Sequence, residues 1–496
     1  MSAQRFKADV QQELLRGQNL ATYCSASSRM QLHRSGRRKP KTGVTENLSL
    51  RNIKFSLTLH PMIPVQAQGR KIPASARNAM GLAASLPFAS VRRRYEELTQ
   101  SGLFDSVWYR LNNSDSFRPA YVWPFARRMD PAWHHVSLGR LRDPNPLFDT
   151  EWYVAKRPEA ADRGNVPLLH YLARGAGEGL DPNPDFSSAD YFRRYPDAQA
   201  SGLTALEHFA LLGAREGRDP RHEPTSRPKS SGNLRLVCVF SHFDAAGRIL
   251  PYVQRYLSEL GRCGFEVHLV STSPNLSASD RGKVERAGVR VHCRENAGMD
   301  FASWQWALHH VVPLAEVDWL LLANDSVFGP IFDLEPVFRS QFAENWDFWG
   351  ITDSYEVAWH LQSYFLCLRG DVARSEAFRK VFAVDFARLT KRSIIRSGEI
   401  SLSQSLLRSG FRGNAVCPFD RLRKFRSFRQ CNATHFYWDQ LIARLRCPFI
   451  KRQLIRDNPM KLASAGYWKG FLERYTSYDT SLISDAILPV ENVLPS

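Results

Sequence analysis

Val317-Asp318-Trp319-Leu320-Leu321-Leu322-Ala323-Asn324-Asp325-Ser326 is an apolar run that stops abruptly in three polar residues. An apolar run without alternation predicts a strand buried on both faces, here Val317–Ala323. Upstream, Leu234–Phe240 is a similar run, Ile249–Leu260 has helical spacing, and Glu266–Val270 and Val289–Cys293 read as two further strands. Phe301, Trp304, Leu308 and Val311 trace one face of a helix. Strands alternating with helices predict an α/β domain over 233–460, a mostly parallel sheet covered by helices on both faces.

Before this domain the chain repeats itself. Residues 148–182 and 186–220 align at an offset of 38, without a gap. Phe148 meets Phe186, Tyr153 meets Tyr191, His170 meets His208, Gly175 meets Gly213, and Asp181-Pro182 meets Asp219-Pro220. A degenerate first copy runs from Leu103 to Pro144, so 96–220 reads as three small helical units with glycine ends that stack to bury their faces. The recurring His170 and His208 fit packing or capping, and few residues of the unit suit catalysis, so an interaction or spacer role is expected. Residues 1–95 read as a basic, poorly ordered tail, 221–232 as a linker and 461–496 as a C-terminal extension.

The 496 residues carry a net charge of +18, unevenly spread. Residues 1–100 hold 17 Lys/Arg against 5 Asp/Glu, residues 421–460 hold 10 against 2, and the remainder is close to neutral. Charge confined to a tail and one late patch argues against nucleic acid as a partner. Arg421, Arg423, Lys424, Arg426 and Arg429, interleaved with Leu422, Phe425 and Phe428, suit either an anionic interface or a solvated basic face. Eight cysteines without a C-x-x-C pair argue against a zinc ribbon or a disulfide scaffold. No window is long and apolar enough to span a bilayer, and Met1–Asp9 lacks a secretory apolar region. A cytoplasmic protein, with peripheral contact at the inner face of the cytoplasmic membrane, is the expectation.

Ligands of open α/β sheets bind beyond the carboxyl ends of the strands. Two polar clusters lie there: Glu295-Asn296-Ala297-Gly298-Met299-Asp300 and Asn324-Asp325-Ser326. Asp300 reads equally as a helix N-cap, and Asn324-Asp325-Ser326 as a turn. There is no phosphate loop, dinucleotide fingerprint or nucleophile elbow. What remains is an acidic turn able to hold Mg²⁺ or Mn²⁺ on a diphosphate.

These strings, with Trp349–Ser354, His360–Phe365, Thr434–Asp439, Pro448–Arg452 and Arg456–Pro459, resemble the rhamnan synthesis protein F family over 235–460. The resemblance implies a GT-A-like, nucleotide-sugar-dependent glycosyltransferase of bacterial surface-polysaccharide assembly. A rhamnosyltransferase is implied, taking dTDP- or GDP-rhamnose to a lipid-linked O-antigen or rhamnan acceptor. In the distantly similar inverting transferases an N-x-G segment precedes a D-x-D strand. Asn296-Ala297-Gly298 matches the first, while Asn324-Asp325-Ser326 takes the second place with one carboxylate instead of two. Gly398–Phe411 resembles the acidic motif that opens the acceptor-side helix, which implies Glu399 as general base at a helix start. Donor contacts are then expected from Asn296, Gly298, Asp300, Asn324, Asp325, Lys451 and Arg452, and metal contacts from Asp325 and His435. Sugar contacts are expected from His360 and Gln362, and an acceptor-reading catalytic role from Asp353. Polysaccharide assembly proteins would dock on the repeats. The rival expectation is a non-catalytic scaffold or glycan-binding protein with a degenerate transferase domain.

Overall fold

The apolar runs become the centre of one sheet. The computed structural model describes residues 88–113, 129–162, 164–221, 234–344, 346–425 and 432–487, of which 88 and 423–425 as backbone only. The tail to residue 87, the linker from 222 to 232 and the side chains of Arg423, Lys424, Arg426 and Arg429 lie outside the described residues. The strands are β1 (Leu236–His242), β2 (Phe265–Ser271), β3 (Arg290–Cys293), β4 (Trp319–Asn324), β5 (Val327–Phe328), β6 (Phe348–Ser354), β7 (His360–Leu361), β8 (Phe365–Arg369), β9 (Gly413–Cys417) and β10 (Ile450–Lys451).

In the main sheet the order is β3-β2-β1-β4-β8-β6-β7, with β9 also on β6, and β5 pairs separately with β10. The pairs β2–β3, β1–β2, β1–β4 and β6–β9 are parallel, while β4–β8, β6–β8 and β6–β7 are antiparallel. The expected mostly parallel α/β sheet is therefore present, with an antiparallel strand set into it.

Both faces are covered, which is why β4 contains no exposed residue. On one face Val237, Val239, Leu320 and Leu322 pack with Phe301 and Trp304 of helix α2 (Met299–His310) and with Leu402 and Leu406. On the other, Tyr256 of α1 (Pro251–Arg262) meets Phe240 at 5.1 Å, and Phe342 of α3 (Glu335–Ala343) meets Trp319 at 4.7 Å. Trp304 Nε1 donates to the Ala323 carbonyl at 3.1 Å, which ties α2 to the tip of β4.

Each of the three repeats closes around one hydrogen bond between a tyrosine hydroxyl and a histidine Nδ1. Tyr109–His134, Tyr153–His170 and Tyr191–His208 are all at 2.9 Å. As expected, the helical runs of these units end at the repeated glycines Gly175 and Gly213. A Cβ on Gly175 or Gly213 would lie 2.2 Å from the hydroxyl of Tyr153 or Tyr191. These glycines leave room for the tyrosine, and the left-handed residues come later, at Gly179 and Gly217. Part of the expected tail is also helix. Phe88–Gln100 is helical because Val91, Tyr95 and Leu98 share a face, and Tyr95 meets Trp133 at 5.7 Å.

All the described residues fall in one compact unit, and buried polar contacts join the repeats to the later chain. Trp108 Nε1 donates to Asp439 at 2.7 Å, and the Tyr475 hydroxyl to Asp105 at 2.8 Å. The buried Arg444 guanidinium lies 3.0 Å from Asp149 and 3.8 Å from Asp185, carboxylates of successive repeats. Arg421, which suited either an anionic interface or a solvated basic face, is ion-paired with Asp185.

Candidate functional site

β1 is flanked by β2 on one side and β4 on the other, so the order reverses there and opens a crevice at the carboxyl ends. Asn324 stands at that end of β4 and joins three parts. Its Nδ2 donates to Asp300 Oδ2 at 2.9 Å, and its Oδ1 accepts from the Ser326 amide at 3.0 Å and hydroxyl at 2.6 Å. Asp300 is not the N-cap. That place belongs to the left-handed Gly298, and Asp300 lies in the first turn of α2.

The β5–β10 ladder brings distant residues to the same tip. Lys451 pairs with Val327, and the Arg452 amide donates to the Ser326 carbonyl at 3.0 Å. Arg452 Nη1 then reaches the Asp325 carboxylate at 3.1 Å and its backbone carbonyl at 3.0 Å. Lys451 Nζ sits 4.3 Å from the centre of the Tyr364 ring. Burial pushes this lysine down to about 8, although Glu399 and Asp300 favour its charge. Burial, with the charge of Asp325, raises Asp300 to about 6.

A cavity of about 250 Å³ gathers Asp300, Asn324, Gln362, Glu399, His435 and Lys451 along its wall. Glu399 accepts from the Ser363 amide at 2.8 Å and from the Ser363 hydroxyl, and His360 Nε2 lies 3.4 Å away. Burial alone would raise its pKa, but His360 and Ser363 hold it below the usual carboxylate range. His360 Nδ1 is 2.8 Å from the Ala358 carbonyl, so both ring nitrogens face acceptors. Burial opposes its charge, yet Glu399 and that carbonyl carry its pKa upward. The imidazole and the carboxylate each favour the other's charged form.

Contrary to the expectation of a helix start, Glu399 does not open a helix. The helical run begins at Lys391, widens into a π turn over Ile395–Ile400, and continues as α4 (Ser401–Arg408). Gly398 lies inside the π turn, where a Cβ would meet the Phe301 ring at 2.8 Å, which accounts for the glycine. π turns of this kind are frequent at functional sites.

Other expected residues lie off the cavity wall. Asp353 is buried and its carboxylate accepts from Trp359 Nε1 at 2.8 Å and the Phe419 amide at 2.6 Å. Asn296 is exposed, and Gly298 serves backbone packing: its Cβ would stand 2.7 Å from the Phe386 carbonyl. His360 orients Glu399 rather than lining the cavity. Gln362 does line it, with its amide engaged by Thr352 at 2.7 Å and Asn432 at 3.2 Å. Sequence reasoning missed Ser363, Lys391 and Asn432, which line the same space. Ser363 stands inside a motif already singled out, while Lys391 carries no local signal.

The expected metal pair, Asp325 with His435, is not assembled as a cation site. Among the described residues no group of three or more His, Cys, Asp or Glu is placed to hold a metal ion. The cation at Asp325 is Arg452, and the charge nearest His435 is Lys451. His435 Nδ1 is buried without a hydrogen-bond partner. Mg²⁺ commonly takes one or two protein carboxylates together with substrate phosphates, so a metal here would have to arrive with a ligand.

Residues 267–495 match the model of the rhamnan synthesis protein F family, which bears out the resemblance read from the motifs. The curated virulence protein VirA of Vibrio anguillarum is 30% identical over 34% of this chain, and the chain spans 62% of that relative's length. Among solved structures, the galactosyltransferase LgtC with donor and acceptor sugar analogues is 11% identical at a TM-score of 0.25, over 50% of this chain and 98% of its own. Core-mannan synthase A of Aspergillus fumigatus, a Mn/GDP form, is 10% identical at 0.25, over 37% and 72%. A cytidylyltransferase of Leptospira borgpetersenii is 12% identical at 0.24, over 37% and 75%. Likenesses this distant bear on neither substrate nor mechanism.

Proposed function

We propose that this protein is a glycosyltransferase that moves a sugar, rhamnose in the first instance, from a nucleotide-sugar to a lipid-linked surface glycan with inversion. The observation that carries the reading is the single cavity in which an ionised carboxylate, Glu399, shares a wall with Asp300, Asn324 and Lys451 at the switch point of the sheet. Glu399 accepts the proton of the acceptor hydroxyl as its oxygen attacks the anomeric carbon. The bond from that carbon to the diphosphate breaks, and the diphosphate leaves with the electron pair. Lys451, on the same wall, would neutralise that growing negative charge, with Arg452 beside it at Asp325. Asn324 and Asp300 fix the crevice floor, and Gln362 and His435 offer polar contacts to sugar hydroxyls. A divalent cation on the diphosphate, Mg²⁺ or Mn²⁺, would add Lewis-acid neutralisation to that of the two basic residues.

No helix among the described residues is long and apolar enough to cross a membrane, so a lipid-linked acceptor would be met at a membrane surface. Polysaccharide assembly proteins would meet the outward faces of the repeats, since their inner carboxylates are bound to Arg444 and Arg446. The test is release of nucleoside diphosphate from dTDP-rhamnose and GDP-rhamnose with a lipid-linked acceptor present. Release with either donor supports the transferase. Tight glycan binding without release from any donor supports the scaffold reading instead.

A further inference from the structure

A second cavity, of about 220 Å³, lies where the repeats meet the transferase-like domain. From the repeats its wall takes Asn112, Asn113, Asp143 and Glu151; from the domain it takes Phe436, Tyr437 and Gln440. We propose that this junction is a subsite for a neutral saccharide unit of the acceptor glycan, a reading that rests on the transferase function above.

Three observations support it. The first is an unanswered acceptor: Gln440 is 5% exposed, lines the cavity, and its Oε1 has no hydrogen-bond partner. A buried amide oxygen left unpaired costs about 1–3 kcal/mol, so a hydroxyl donor is the group the site lacks. The second is the charge of the wall. Asp143, Asp149 and Glu151 stand there against Arg142, which donates to Asn113 Oδ1 at 2.7 Å. Asp149 is already paired with the buried Arg444, and the wall has no surplus of positive charge to hold a phosphate. Burial, with Asp149 beside it, also lifts Asp143 to about 7, where a carboxyl both donates and accepts. Amides, a half-protonated carboxyl and three aromatic rings, Trp108, Phe436 and Tyr437, match a neutral polyhydroxyl ligand, and the volume, below the roughly 300–1,000 Å³ of drug-sized pockets, suits one sugar ring. The third is position. His435 lines the first cavity and Phe436 the second, and consecutive Cα atoms are about 3.8 Å apart. The two cavities thus border one short segment, and on this proposal a neighbouring unit of a glycan whose reacting end lies in the first would occupy the second. This gives the repeats a part in the chemistry, as one wall of the acceptor path.

Saturation-transfer NMR on the full chain tests this with methyl α-L-rhamnoside, methyl α-D-mannoside and methyl β-D-galactoside as probes, and GDP and dTDP measured in parallel. Gln440→Leu removes the acceptor without removing a protein hydrogen bond, and Glu151→Trp blocks the mouth from an exposed position. At least one saccharide is expected to show transfer that falls at least fivefold in both variants, while the nucleotide signal persists. Saccharide transfer unchanged in both variants, or absent for all three probes, overturns the subsite. Loss of the nucleotide signal in the unmodified chain overturns the transferase reading instead, so the two failures are distinct.

Discussion

Glu399 is an ionised carboxylate with three donors around it, and its chemistry follows from whether one of them yields to a substrate hydroxyl. Glu399→Gln keeps the size and the Ser363 contacts but cannot take a proton. Turnover is expected to fall by about 10²- to 10⁴-fold, with nucleotide affinity kept and the loss appearing in kcat. The product anomer, read by NMR, is expected to be opposite to the donor; near-full turnover or a retained anomer would remove Glu399 as the base. A second expectation concerns pH. Lys451, pushed down to about 8, loses its charge as pH rises through that value, and Asp300, raised to about 6, gains a negative charge as pH rises through its own. Both changes disfavour a bound diphosphate, so nucleoside diphosphate affinity by calorimetry should decline in two steps between pH 5 and 9. Lys451→Arg, charged throughout, should flatten the upper step, and Asp300→Asn the lower. A profile unchanged by both variants would place the phosphates elsewhere. Asn324, Asp325, Lys451 and Arg452 were legible as polar residues at strand ends or in motifs. That Trp359 and the Phe419 amide hold the Asp353 carboxylate was not legible, because nothing local announces either donor.

Elements deliver these groups, and α2 shows how. Gly298 caps it at φ +69°, where an added Cβ would stand 2.5 Å from the Ala302 Cβ and 2.7 Å from the Phe386 carbonyl. Gly298→Ala should destabilise by about 1–3 kcal/mol through overcrowding, with further strain from the left-handed backbone. Because the start of α2 carries Asp300, nucleotide affinity should weaken along with thermal stability; full stability by calorimetric melting would contradict the crowding. The β5–β10 ladder does the same for the basic pair. Two residues on each strand set Lys451 and Arg452 beside a tip more than 120 positions earlier. Strand positions were readable from uninterrupted apolar runs, and each of the first four fell within two residues of its expected ends. The π turn was not readable, because an extra residue in a helical turn answers to the Phe301 ring packed against Gly398 rather than to local propensity.

Across the whole molecule, the repeats and the α/β domain share buried charges. Arg444 is buried against Asp149 and Asp185, so removing it strips Asp149 of its counter-charge, while Asp185 keeps Arg421. Arg444→Ala should cost about 3–5 kcal/mol in denaturant unfolding. Adding Asp149→Asn should restore part of that loss, and a merely additive double variant would show that the two do not interact. The sequence by itself determined the periodic features: the 38-residue repeat, the buried strands, their alternation with helices, and the polar turns where strands end. Each of these depends on neighbours a few residues away or on a fixed spacing, and such patterns are written in order along a chain. Only the tertiary structure decided which polar residues meet. Arg452 at Asp325, His360 at Glu399, and the repeats against Arg444 and Asp439 are pairings between distant segments. Their partners are chosen by strand order and packing, because a buried charge takes whichever counter-charge the fold brings within reach.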